Sequence, residues 1–201
     1  CHIMGPPFKL LELGYPTEVT CSASTVYNGI FEEGLYPESG PVASSIRFNY
    51  KLKNGRDLRL YWMDGGITPE RPMELEPGKN MNDIMGDWPG LNDYEGATLF
   101  IGTRGKAACG WGGRNPILLP LSLNNMVNVP KKYPRVEGDM DGHWWQWVDA
   151  CIAGYGNAEV DSPFEGYAGP LTETVLMGNL LLRCFNIRDK VKRVDPVYGD
   201  M

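Results

Sequence analysis

The chain has 201 residues, 42% of them hydrophobic, which allows one large domain or two small ones with a sizeable core. Its 25 acidic and 19 basic residues leave a net charge of −6. That balance argues against a polyanion binder, because such proteins gather Lys and Arg to release counterions from phosphate, so nucleic acid is not an expected partner. No membrane partner is expected either: a span needs roughly 18 consecutive apolar residues, and the densest run, from 175 to 182, is broken by Gly178 and Asn179.

In chain order, the start Cys1-His2-Ile3-Met4-Gly5 has no basic stretch followed by an apolar core. A start at Cys is not a normal translation start, so the chain is expected to be a fragment, with cytoplasmic or exported localisation left open. A strand is expected over 17–25, where Val19, Cys21 and Ala23 alternate with polar residues. Ile46, Phe48, Tyr50 and Leu52 fall on one face of an extended segment. Leu58, Leu60 and Trp62 do the same after Asn54-Gly55. Together they predict a β-hairpin closed by a tight type I′ turn. A second pair, 98–103 and 106–110, is expected to turn at Arg104-Gly105.

Two helices follow. Trp144, Trp147, Val148 and Cys151 recur at helical spacing, with Gly154 placed to end the helix, and His143 is expected to open it. The second helix starts at Pro170 and runs to about Arg183, with Leu171, Val175 and Leu182 on one face. Leu176, Met177, Leu180 and Leu181 make it apolar nearly all round, as for a helix packed on a sheet and on other helices. Strands that succeed one another before the helices predict an α+β domain over 1–201: an open mixed or antiparallel β-sheet with helices packed on one face. The Gly- and Pro-rich loops 65–90 and 110–120 are long enough to serve function or to meet another domain.

The side chains restrict the chemistry. Gly110-Trp111-Gly112 and Gly154-Tyr155-Gly156 both lack the third glycine of a dinucleotide fingerprint, and Gly105-Lys106 is followed by Ala107, so it is no phosphate loop. The five cysteines are odd in number and contain no Cys-x-x-Cys. They predict mostly buried thiols, with neither a disulfide framework nor a zinc site. Only two histidines exist, and a lone His is more often structural than catalytic, although its near-neutral pKa suits proton transfer. Asp64, Asp83, Asp87 and Asp93 fall in one loop-rich region with Trp62, Trp88 and Tyr94. They read as solvated residues more readily than as a sugar cleft, since no spacing sets two carboxylates across a bond. The row Trp144, Trp145 and Trp147 offers faces for sugar rings, but such a row is more often core.

Four stretches then set a direction. They are Tyr61-Trp62-Met63-Asp64-Gly65-Gly66 with Pro69-Glu70-Arg71-Pro72; the run from Ala97 to Lys106; His143-Trp144-Trp145-Gln146-Trp147-Val148-Asp149-Ala150-Cys151; and Tyr167-Ala168-Gly169-Pro170-Leu171-Thr172-Glu173-Thr174 continuing to Asn179. In this order and spacing they resemble the C-terminal domain of bacterial Gfo/Idh/MocA oxidoreductases, over roughly residues 1 to 187. The resemblance implies a missing N-terminal Rossmann domain that holds NAD or NADP and carries a catalytic Glu-Lys-Pro lysine, neither of which lies in this chain. It implies that His2 is the histidine of an Asp-x-x-x-His motif whose aspartate would precede Cys1. It also implies hydride transfer from a sugar or polyol, a substrate wall to which Trp62 and Tyr167 are candidate contributors, and a homo-oligomer formed through the sheet face. The resemblance implies truncation at both ends and a fragment inactive alone. Two other readings stand beside it: an NAD-dependent glycosidase working by oxidation and elimination, and a non-catalytic sugar-binding or oligomerisation module.

Overall fold

The structure, a computed structural model, describes residues 1–34, 36, 38–79, 96–131, 136–185, 194–195 and 199–200. In chain order the elements are helix α1 (Gly5–Leu10), strands β1 (Glu18–Ala23), β2 (Val26–Gly29), β3 (Glu32–Gly34), β4 (Ser44–Lys51), β5 (Asp57–Met63), β6 (Ala97–Gly102), β7 (Gly105–Gly110) and β8 (Ile117–Leu119), helices α2 (Asp139–Ala153) and α3 (Gly169–Phe185), and the short strands β9 (Val194–Asp195) and β10 (Gly199–Asp200). This is an α+β fold, and among the described residues every strand pairing is antiparallel. The strands form two three-stranded sheets, β1-β4-β5 and β6-β7-β8, and two ribbons, β2-β3 and β9-β10. The chain divides into two compact units: Cys1, Pro7–Arg71 and Leu171–Met201 in the first, His2–Pro6 and Pro72–Pro170 in the second.

The first unit is built on β4. Its residues alternate between buried Ile46, Phe48 and Tyr50 and half-buried Ser45, Arg47 and Asn49, as a strand with one core face must. Register carries the pattern to both neighbours: Ile46 pairs Cys21 and Trp62, Phe48 pairs Val19 and Leu60, and Tyr50 pairs Leu58. The other face is polar, with Glu18 beside Asn49 and Arg47 opposite Thr20 and Tyr61. The β4-β5 hairpin is present, but its turn is not type I′. Gly55 alone is left-handed, at φ +79°, and its N–H donates to Leu52 O at 2.8 Å. Leu52 N–H closes the ladder on Arg56 O, which makes a type I turn followed by a glycine bulge.

Helix α3 covers residues 169 to 185, against an expected 170 to 183, and packs with Leu171, Thr174 and Gly178 fully inward, one per turn. Val175 and Leu182 are half-buried. Gly178 lets the helix approach β4 closely: a Cβ there would lie 3.0 Å from Ile46 Cδ1 and 3.6 Å from Phe48 Cζ. Leu176 and Leu180 stay exposed, so this helix is not apolar because it is covered all round.

In the second unit β6 and β7 pair from Ala97 with Gly110 to Gly102 with Gly105, which puts the turn at Thr103-Arg104, one residue earlier than expected. Leu75, Ala108, Ile117 and Leu119 form its core with Leu99 and Leu121 against them. Lys106 Nζ donates to Glu74 Oε1 at 2.8 Å, and this hydrogen bond holds the Glu74 carboxyl below its usual range. Helix α2 ends at Gly154, at φ +84°, whose N–H returns to Ala150 O. It begins at Asp139, so His143 lies in its second turn. Trp144, Trp145 and Trp147 are all at least 60% exposed, against the expectation of a buried row. The cysteines depart from expectation too: Cys109 is buried and Cys21 half-buried, but Cys1, Cys151 and Cys184 are exposed, and all five are free. Burial pushes the Cys109 thiol up.

Candidate functional site

The segment around His2 is fastened to the second unit at several points. The Thr98 hydroxyl donates to Ile3 O at 2.9 Å, Gly112 N–H donates to His2 O at 3.1 Å, and a Cβ on Gly96 would meet Ile3 Cδ1 at 3.2 Å. The loop that receives it follows β7 directly. Trp111-Gly112-Gly113 forms a single tight turn in which Gly112 is left-handed at φ +65°, a conformation open to glycine at no steric cost.

That turn presents the indole. The His2 ring stacks on Trp111 with centroids 4.4 Å apart and planes inclined by 22°. The Arg114 guanidinium carbon sits 4.9 Å from the Trp111 centroid, a cation–π contact. His2 is therefore an exposed imidazole with an anchored backbone and a ring held against an aromatic face. Such a group can exchange a proton with a ligand without first being ordered. Trp111 and Arg114 were not legible as its neighbours; the only signal was an indole flanked by glycines in a loop.

Trp62 is committed elsewhere. Its Nε1–H donates to Asp64 Oδ2 at 2.8 Å, and Asp64 also accepts from the backbone N–H of Ser44 at 2.6 Å and from the Ser44 hydroxyl at 2.9 and 3.0 Å. Ser44 is 99% buried, so Asp64 is a clasp between the strand ends of β4 and β5 and not the solvated loop residue expected. Gly65 follows at φ +63° so close to β4 that a Cβ would lie 2.1 Å from Val42 O. Asp83, Asp87, Trp88, Asp93 and Tyr94 lie outside the described residues.

Tyr167 lies in an irregular π-type turn, Phe164–Ala168, that leads into α3. It is half-buried, and burial pushes its hydroxyl up. His2 and Tyr167 belong to the second unit and Trp62 to the first.

No family model, curated protein or solved structure matches this chain. Among the described residues no cluster of three or more His, Cys, Asp or Glu side chains could hold a metal ion, and no helix is long and apolar enough to cross a membrane. The described residues form no Rossmann cradle. A Rossmann cradle needs a parallel β-α-β unit with a glycine-rich turn onto a helix N-terminus, and the strands described here pair antiparallel throughout.

Proposed function

We propose that this chain is the substrate-side part of an NAD(P)-dependent oxidoreductase acting on a sugar or polyol hydroxyl, and that His2 is its proton-transfer residue. The dinucleotide would belong to a separate nucleotide-binding domain. The observation that carries the reading is the His2 ring stacked on Trp111, which gives a structural setting to the one residue that the family resemblance makes catalytic. The four sequence stretches supply the rest.

The chain's own contribution is a proton acceptor. Oxidation of a carbinol to a carbonyl requires the hydroxyl proton to leave as the carbon–hydrogen bond breaks, and an imidazole nitrogen can accept it. Stacking on Trp111 restricts the plane of the ring before substrate arrives. Arg114, in cation–π contact with the same indole, adds positive charge near it, which favours the alkoxide that forms.

The test is to express the complete natural coding sequence containing this chain and follow NAD(P)H absorbance with glucose, inositol and other polyols. Turnover is expected, and His2→Ala should lower kcat by about a hundredfold or more, the usual contribution of a general base, with little change in KM. A coding sequence with no nucleotide-binding domain, or full turnover in His2→Ala, would overturn the reading. Release of an aglycone from a glycoside without NADH accumulation would move the activity to the glycosidase class.

A further inference from the structure

A second feature of the second unit has no part in the His2 site. Helix α2 and the stretch that follows it enclose a cleft of about 420 Å³, within the range of small-molecule sites. Trp144 and Trp147, one helical turn apart, line it from α2, and Phe164 lines it from the π-type turn. These three side chains are 68%, 60% and 82% exposed, so the cleft keeps a large aromatic surface in water. Monomeric domains rarely tolerate that without a ligand or partner.

The cleft is pre-formed. Gln146 Nε2 donates to Asp161 Oδ2 and Asp161 N–H donates to Gln146 Oε1, both at 3.1 Å, so a reciprocal pair fastens the far wall to α2. Phe164 sits at the mouth of a turn whose Ala168 N–H reaches back five residues to Pro163 O, at 3.0 Å, with Gly166 left-handed at φ +77°. Ser162, Gln146 and His143 add polar atoms to a lining that is otherwise aromatic and aliphatic.

Charge narrows the ligand. Between positions 143 and 168 stand Asp149, Glu159, Asp161 and Glu165 and no Lys or Arg. An anionic ligand would be repelled. Among the described residues no Asp, Glu, Lys or Arg lines the cleft itself. Flat aromatic faces, a few hydrogen-bonding groups and a described lining without Asp, Glu, Lys or Arg suit a neutral ring with an apolar face and hydroxyls on its edge. We propose that this cleft binds the pyranose ring of a neutral saccharide, stacked on Trp144 and Trp147, at a site separate from His2. It does not rest on the hydride-transfer reading.

Indole N–H resonances in 1H–15N spectra of the full chain report on it directly. Cellotetraose and maltotetraose are the probes, with sodium glucuronate and tetramethylammonium chloride as charged controls. The Trp144 and Trp147 signals should shift saturably with at least one neutral probe. Trp147→Ala should weaken that binding about tenfold, Trp147→Phe should restore most of it, and His2→Ala should leave it unchanged. Because Trp147 is exposed, its replacement is not expected to unfold the chain, and the remaining indole signals verify that. The proposal is overturned if neither neutral probe moves these signals, if a charged control moves them as strongly, or if protein concentration alone does so, which would make the cleft a self-association surface. Loss of binding in His2→Ala would also overturn it, by merging the two sites.

Discussion

Replacing Asp64 by Ala tests how the β4-β5 pair is held at its open end. The carboxylate accepts from Ser44 N–H, Ser44 hydroxyl and Trp62 indole N–H. Removing it strands two donors on a residue that is 1% exposed, while the half-buried Trp62 recovers water in part. A buried donor left unpaired costs about 1–3 kcal/mol, and bonds to a charged acceptor lie at the upper end. The sum is about 3 kcal/mol. With a urea m-value of about 2 kcal/mol/M, the unfolding midpoint should fall by about 1.5 M. Asp64→Asn keeps one acceptor oxygen and should lose about half as much. Circular dichroism and tryptophan emission during urea unfolding would both read the change. A midpoint lowered by less than about 0.3 M in Asp64→Ala would refute the reasoning, because the clasp would then be worth no more than an exposed polar contact.

Other expectations follow from packing and titration. Gly178→Val should cost about 2–3 kcal/mol in the same unfolding assay, since its branched carbons would enter the space held by Ile46 and Phe48; an unchanged midpoint would mean that α3 can move off β4. Burial pushes the Tyr50 hydroxyl up to about 12, with the Thr174 side chain partly offsetting it. Because the folded state holds this proton more tightly than the unfolded state, stability is fully present below about pH 10 and is lost as pH rises toward 12. Tyr50→Phe should flatten that part of a stability–pH curve, and an identical slope in both proteins would remove Tyr50 as the cause. If the oligomer that the family resemblance implies forms through a sheet face, the polar face of β1-β4-β5, where Tyr61 is half exposed opposite Arg47, is the one to test. Light scattering should find a dimer or tetramer that Tyr61→Asp shifts toward monomer; a monomer before mutation would refute this placement.

Much of the local structure was legible because it depends on near neighbours. Alternation in Ile46, Phe48 and Tyr50 identified a strand with one buried face, and the spacing from Trp144 to Gly154 located a helix and its end. The turn type at Asn54-Gly55 escaped because that dipeptide suits more than one loop, and ladder closure between Leu52 and Arg56 decides which one forms. The exposure of Trp144 and Trp147 escaped for a related reason. Periodicity shows which residues share a face, but not whether anything covers it, and here nothing among the described residues buries them.

The same division holds for the candidate sites. His2 was singled out by its residue type and by the family resemblance, both readable along the chain. Its stacking on Trp111 joins positions 109 apart, and no pattern in sequence announces a contact of that kind. Asp64 shows the reverse case: its sequence setting, among loop glycines and other carboxylates, pointed to water, while the fold turned it onto Ser44 and Trp62. Sequence by itself determined the composition, the periodic elements and the absence of a dinucleotide fingerprint, because these depend on residue type and short-range spacing. Only tertiary structure decided which faces are covered and which distant side chains meet, because burial and contact are set by how the chain returns on itself.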